Sequence, residues 1–417
     1  MLAFFILLFS VSLSAVSATP FSLEPTPSLA KRATCTPASA HSSSTDDVPA
    51  IQSAFTTCGN GGVIVIAANT TYAIRSTLSF AGCKGCEFRV EGTMKVSSDT
   101  DYWDGVRAVF LLDGISGATI HSTTSLGLID GNGQPFWDVF ANNSDFDRPT
   151  LMYIDDSSDI TVENLRFKNA PNVFHSVVGG STNILYSGLT LTAAKAEDDG
   201  ADPKNTDGFD VGKSTYVEIT NTTVTNQDDC VAFKPGANYV TVTDITCTGS
   251  HGLSVGSLAG GAGSTDNVTN VYVNHATMID STKAVGIKLY QGGSSHGTAN
   301  VKNVTYNDIT VDGCDYAAQI QSCYGSDTTA ECTAAPSTAT LTDVHFTNFK
   351  GTTSSKACTS RRLYDPVVAN LNCPAAGTCD IYISSFSVVS PSGKAGILCS
   401  NVDNSDSGLS CSGSASG

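Results

Sequence analysis

Three aspartates and a histidine fall close together in a stretch otherwise rich in Thr, Val and Asn. Asp207 lies in "NTDGFD" (Asn205 to Asp210), Asp228 and Asp229 lie in "NQDDCVAF" (Asn226 to Phe233), and His251 follows in "TGSHGLSVGS". Like charges held close raise at least one carboxyl pKa. A carboxyl that keeps its proton can act as general acid while ionised neighbours activate water, which is the division of labour in glycoside hydrolysis. Two other readings use the same residues. Asp is common in turns because its side chain bonds the local backbone, and three carboxylates form a hard-oxygen set of the kind Ca²⁺ takes. The missing Asp-x-Asp-x-Asp spacing and the neighbouring imidazole count against the metal. Spacing alone leaves catalysis, turn structure and metal binding all open.

The elements that position these residues come from an internal repeat. Ile160, Val162, Leu165 and Phe167 set apolar side chains at relative positions 0, 2, 5 and 7. The spacing recurs from Ile184, Val240, Val304 and Ile381, and more loosely from Val217 (with Thr222), Val271 (with Ala276) and Val344 (with Gly351). Successive starts are 24, 33, 23, 31, 33, 40 and 37 residues apart. Two short period-2 strands joined by a break in phase, repeated at this interval, describe the coils of a solenoid. The predicted fold is all-β, a single-domain right-handed parallel β-helix with disulfide-stapled ends. Cys35 with Cys58, Cys373 with Cys379 and Cys399 with Cys411 are the candidate staples. Asp228 is 11 residues after Val217 and His251 is 11 after Val240, so the two should stack about 4.8 Å apart on neighbouring coils. Asp207 belongs to the coil before. Adjacent Asp228 and Asp229 would face opposite sides of a regular strand, so both serve one cleft only where the backbone bends.

Residues 1–18 are apolar without side-chain charge and end in Val16-Ser17-Ala18, the pattern of a secretory signal peptide. Residues 19–32 read as a propeptide ending in dibasic Lys31-Arg32, and 33–417 as the mature β-helix. The 14 cysteines suit an oxidising, extracellular destination. Sequons at Asn69, Asn142, Asn221, Asn267 and Asn303 are glycosylation candidates. A net charge of −17 argues against nucleic acid or an anionic membrane as partner. It also means that a polyanionic substrate must be met by local cations.

"NTDGFD", "QDDCVAFKPG", "TGSHGLSVGSLAG" and "GIKLY" resemble, in order and spacing, the four motifs of glycoside hydrolase family 28, the polygalacturonase family. "GLIDGNGQPFWD" (Gly127 to Asp138) and "NVFHSVV" (Asn172 to Val178) are similar to its upstream segments. The resemblance covers nearly the whole mature chain and implies a right-handed β-helix that hydrolyses pectic polysaccharide with inversion, as a monomer and without cofactor or metal. Carried over motif by motif, it makes Asp228 the general acid, Asp207 and Asp229 the pair that activates water, and His251 a group that tunes the acid or binds sugar. Asn205 would support Asp207, Lys288 would meet a uronate carboxylate, and Tyr324 would line the cleft. It also implies a Cys230 to Cys247 disulfide beside the stack and carboxyl groups about 6.5–9.5 Å apart.

One departure stands out. Gly286 in "AVGIKLY" occupies the place of the family's arginine, whose bidentate geometry a lysine cannot reproduce. Less charge and more room suit a decorated backbone, and "STKAVGIKLY", "DYAAQIQSCYG" and "DPVVANLNC" resemble the branch of the family that cleaves xylogalacturonan. Exo- or endo-polygalacturonase action on the bare polymer is the alternative. A β-eliminating lyase or a non-catalytic polysaccharide-binding β-helix would share the solenoid. The stretch Ser354 to Leu363 has no counterpart in the family pattern, and its Cys358 is a candidate partner for Cys314.

Overall fold

A computed structural model describes residues 32–195, 200–326, 328–355, 366–402 and 410–415. The expected leader and all but the last residue of the expected propeptide lie outside the described residues, as do most of 354–363 and Cys358. The compact unit is Ala33–Gly417. Each strand pairs in parallel with strands of the neighbouring coils, giving, among the described residues, sheets of 17 and 11 strands wound as a right-handed β-helix. No helix among the described residues is long and apolar enough to cross a membrane.

The 0, 2, 5, 7 spacing has a backbone cause. Alternate residues of a strand share a face, so an uninterrupted strand would turn position 4 inward. Position 4 is instead left-handed in every repeat: Asn164, Gly188, Asn221, Asp244, His275, Asp308, Asn348 and Ser385 have φ between 48° and 63°. One such residue bends the strand and moves the next inward side chain to position 5. Asn, Asp and Gly dominate because they tolerate this region with least strain. The eight repeat starts pair in succession, Ile160 with Ile184, then Val217, Val240, Val271, Val304, Val344 and Ile381. All are at most 2% exposed, and each such side chain contributes about 1.5–3 kcal/mol by burial.

The smaller sheet carries the candidate site residues. Its consecutive strands include Phe209–Val211, Asp229–Phe233, Gly252–Leu258, Lys283–Tyr290 and Tyr316–Tyr324. Phe209, Val231, Leu253, Val285 and Ala318 stack inward in register. The next residue of each strand, Asp210, Ala232, Ser254, Gly286 and Gln319, therefore faces outward. His175 of the upstream segment faces the core, packed against Phe167, Tyr186 and Phe209, and burial pulls its pKa down to about 3.

The ends are closed as predicted. Helix Val48–Cys58, with proline in its first turn, packs Phe55 on Phe80 and Phe88 at centroid distances of 4.9 and 5.6 Å. Disulfides join Cys35 to Cys58, Cys373 to Cys379, Cys399 to Cys411 and Cys230 to Cys247. Two more, Cys83 to Cys86 and Cys323 to Cys332, were not legible from the repeat. Cys358, the candidate partner of Cys314, lies outside the described residues. Among the described residues Cys314 is a free thiol turned into the coil interior, where it donates to the Met278 carbonyl at 3.3 Å and burial pushes its pKa up to about 12. All five sequon asparagines are exposed.

Candidate active site

The bend that Asp228 and Asp229 require is present as a register irregularity between Asp229 and Val231, where the strand pairs with the next coil. A bulge of this kind re-aims side chains locally. His251 sits over Asp228, its backbone N–H donating to the Asp228 carbonyl at 2.7 Å, and the Gly208 N–H donates to the Asp229 carbonyl at 2.9 Å, bringing Asp207 alongside. One carboxylate oxygen from each of Asp207, Asp228 and Asp229 lies within 4.8 Å of the other two. This is tighter than the 6.5–9.5 Å inferred from the inverting mechanism. Neighbouring coils and one bulge set the spacing, and both are fixed by the sheet.

Asp229 is the most deeply held of the three, at 1% exposure. Its Oδ1 accepts from the Ser254 hydroxyl at 2.7 Å and its Oδ2 from the Lys288 ammonium at 2.5 Å. Burial alone lowers the Lys288 pKa, but the charge and hydrogen bond of Asp229 together outweigh it and the net shift is upward. The lysine expected to face substrate is thus already paired. Tyr324 packs beside it, with the ammonium 5.5 Å from the ring centroid.

Asp207 lies 3.8 Å and Asp210 3.6 Å from the Lys234 ammonium. Burial, followed by the charges of Asp210 and Asp228, pushes the Asp207 pKa well above the ordinary value. Burial also pushes the neighbouring Asp210 carboxyl up, so both acids beside Lys234 are shifted toward their protonated forms. Asp228 behaves oppositely. Burial pushes its pKa up, but hydrogen bonds from His251 and the Asp229 N–H, together with the charges of His251 and Lys288, bring it down to about 2. The carboxyl that crowding raises is therefore Asp207, not the residue assigned as general acid. Asp228 is also the most open of the three, its side chain 18% exposed against 7% and 1% for Asp207 and Asp229.

Asn205 supports a different partner from the one inferred. Its amide donates to Asp228 Oδ2 at 3.3 Å, because its left-handed backbone, φ 57°, turns the side chain toward the next coil. Its Oδ1 accepts from Arg148 at 2.8 Å. Arg148 is buried, donates to the carbonyls of Pro171 and Lys204, and lies 3.7 Å over the Phe140 ring. Arg148 therefore holds Asn205, which in turn holds Asp228. Arg148, Asn205, Asp207, Asp210 and Lys234 line an open depression of about 490 Å³.

Gly286 does not leave the room predicted for it. A Cβ there would lie 2.6 Å from Cδ and 2.5 Å from Cε of Lys283, so the stem of that buried lysine fills the space. The charge lost with the family's arginine is returned three residues earlier. Sequence reasoning missed Arg148, Asp210, Lys234, Ser254 and Lys283. Asp210, Lys234, Ser254 and Lys283 fall inside the quoted stretches, and Ser254 shares the outward row of Asp210. Nothing in the local sequence around Arg148 marks it.

Four cations, Arg148, Lys234, Lys283 and Lys288, thus gather on a chain of net charge −17, and these local cations are what an acidic protein needs to hold a polyanion. A divalent ion among the three aspartates would have to compete with the Lys288 and Lys234 ammonium groups. The upward shift of Asp207 toward its neutral form meets the crowding without that competition.

A parallel β-helix with clustered carboxylates and lysines on one sheet describes a class of carbohydrate-cleaving enzymes, and residues 58–411 match the family described as Glycosyl hydrolases family 28. The chain belongs to that family and is a glycoside hydrolase. It is 53% identical over 411 residues to endo-xylogalacturonan hydrolase A of Aspergillus tubingensis, covering 99% of this chain and 98% of that protein. A probable endo-xylogalacturonan hydrolase A of Aspergillus oryzae gives the same identity and coverage. The crystal structure of the endo-xylogalacturonan hydrolase from Aspergillus tubingensis matches with a TM-score of 0.88 at 54% identity, covering 92% of this chain and 100% of that one. The polygalacturonase from Erwinia carotovora shares the fold, with a TM-score of 0.68 at 18% identity over 89% of this chain and 96% of that one.

Proposed function

We propose that this chain is a secreted endo-xylogalacturonan hydrolase that cleaves α-1,4-galacturonosyl linkages in xylose-substituted galacturonan with inversion. The observation that carries the reading is the union on one cleft floor of three close carboxylates, suited to hydrolysis, with lysines suited to uronate. The names of the relatives support the decorated substrate. Inversion rests on the family rather than on the carboxyl separation.

Asp228, the most open acid, protonates the leaving oxygen, and Asp207 and Asp229 hold the attacking water. Asp207 keeps the proton in the free cleft. A sugar seated over Asp228 strips water from it and raises its proton affinity, so that proton passes to Asp228 as the site fills. His251 tunes Asp228 by direct contact, Asn205 and Arg148 position it, and Lys288 fixes Asp229 while presenting its remaining charge beside Tyr324. Residues 1–18 act as the signal peptide and 19–32 as the propeptide, releasing a monomer. The disulfides and exposed sequons support that route.

Product analysis on xylogalacturonan and on the same polymer stripped of xylose tests the reading. Reducing ends should accumulate faster on the decorated polymer, without the ultraviolet absorbance of unsaturated uronate, and proton NMR should show the inverted anomer first. Faster cleavage of the stripped polymer would overturn the substrate, and unsaturated products would overturn hydrolysis.

A further inference from the structure

Lys283 is 5% exposed, yet among the described residues its ammonium makes no hydrogen bond or ion pair. An unpaired buried cation is costly, and the protein offers it no free anion. Asp229 is occupied by Ser254 and Lys288. Asp207 and Asp210 lie beside the Lys234 ammonium. Asp228 accepts from Asn205 and the Asp229 N–H and contacts His251.

Its direction is nevertheless fixed. The stem lies in a slot floored by two glycines, where a Cβ at Gly252 would come within 3.0 Å of Cγ and one at Gly286 within 2.6 Å of both Cδ and Cε. Gly286 is the outward residue one coil beyond Ser254, so the slot runs along the cleft floor. Of the charges that act on the ammonium, Asp229 is the strongest, followed by Lys288 and Asp228. Burial lowers its pKa to about 8, which leaves it charged in neutral and acidic solution.

We propose that Lys283 is a substrate-binding residue whose ammonium receives the carboxylate of a galacturonosyl unit beside the scissile bond. Glycine at 286 is the condition for this, because any side chain there closes the slot. An ammonium grips an anion as a point charge rather than through a planar fork, which leaves the edge of the sugar open to a substituent. The assignment rests on the reading of the substrate as a galacturonan.

Lys283→Met keeps the stem and removes the charge. On xylogalacturonan its KM should rise about tenfold or more, the loss of one charge-assisted hydrogen bond, with kcat near wild type and a melting temperature no lower than wild type, since a costly unpaired cation is gone. Lys283→Ala combined with Gly286→Arg, which empties the slot and refills it with a guanidinium, should recover most of that KM. In wild-type protein carrying ¹³C at lysine Cε, galacturonate oligomers should shift the Lys283 resonance. An unchanged KM in Lys283→Met, a loss confined to kcat, or a resonance that does not respond to oligomers the enzyme binds would overturn the role of Lys283 alone. A wild-type enzyme that binds no galacturonan would overturn this assignment and the substrate reading together.

Discussion

The corner column of the large sheet and the outward row of the small sheet are both stacks of one residue per coil. At the corner, Asn164, Asn221, Asp244, Asp308 and Asn348 repeat nearly the same choice because each coil asks for the same left-handed backbone. Neighbouring columns repeat too, as side-chain amides bond from coil to coil, Asn303 to Asn270 and Asn307 to Asn274, both at 2.7 Å. In the outward row, Asp210, Ala232, Ser254, Gly286 and Gln319 have nothing in common. Where the solenoid selects for itself it repeats, and where it selects for a ligand each coil contributes a different group.

Breaking a group beside the non-repeating row should cost activity and spare the fold. Asp228→Asn removes the proposed proton donor, and kcat should fall about 10²–10⁴-fold, the range for losing a general acid. Asp228 is partly open, and the buried Arg148 whose charge it offsets keeps its hydrogen bonds to Pro171, Lys204 and Asn205, so the melting temperature should fall only slightly. Near-normal turnover in this variant would remove Asp228 from the mechanism.

Asp207→Asn sharpens the contrast, because here site and fold pull in opposite directions. The folded-state pKa of Asp207 is raised above its unfolded value, so the folded protein binds this proton more tightly than the unfolded chain does. Stability from this group is therefore full below the unfolded pKa and is lost as pH rises toward the folded one. The asparagine variant escapes that loss. It should be inactive yet melt higher than wild type near neutrality, with the difference shrinking toward pH 4. A variant that melts lower at every pH would mean that Asp207 is held by its contacts with Lys234 and Asp210 more than it is strained by its charge.

The same contrast explains what the sequence could reveal. All eight repeat starts and their register were legible, because a period of burial survives in residue types whatever the loops between coils do. The stacking of Asp228 beneath His251 followed from that period. Pairings that depend on side-chain direction were not legible. Asn205 turns to Asp228 through a left-handed backbone, Lys288 is drawn onto Asp229, and Lys283 folds back over Gly286. Each outcome depends on which neighbour a flexible chain reaches across 3 to 5 Å, and spacing along the sequence carries no such information. Arg148 was invisible for the same reason, being 57 residues from the Asn205 it holds.

The smallest expected effect lies in the corner column, where His275 and Ser385 depart from the Asn, Asp and Gly rule. Ser385 is exposed, has φ of 52°, and sits one coil beyond Asn348. A left-handed conformation costs ordinary L-residues about 1–2 kcal/mol, and Asn least among them after Gly. Ser385→Asn should therefore stabilise the fold by about 0.5 kcal/mol, raising the melting temperature by about 1 °C in a chain of this size. Ser385→Val should lower it by more, since branching at Cβ opposes the left-handed region most. Neither change should alter turnover, because this corner lies on the large sheet and the proposed catalytic groups do not. If asparagine and valine shifted the melting temperature alike, backbone conformation would not be what the corner selects, and the 0, 2, 5, 7 period would need another cause.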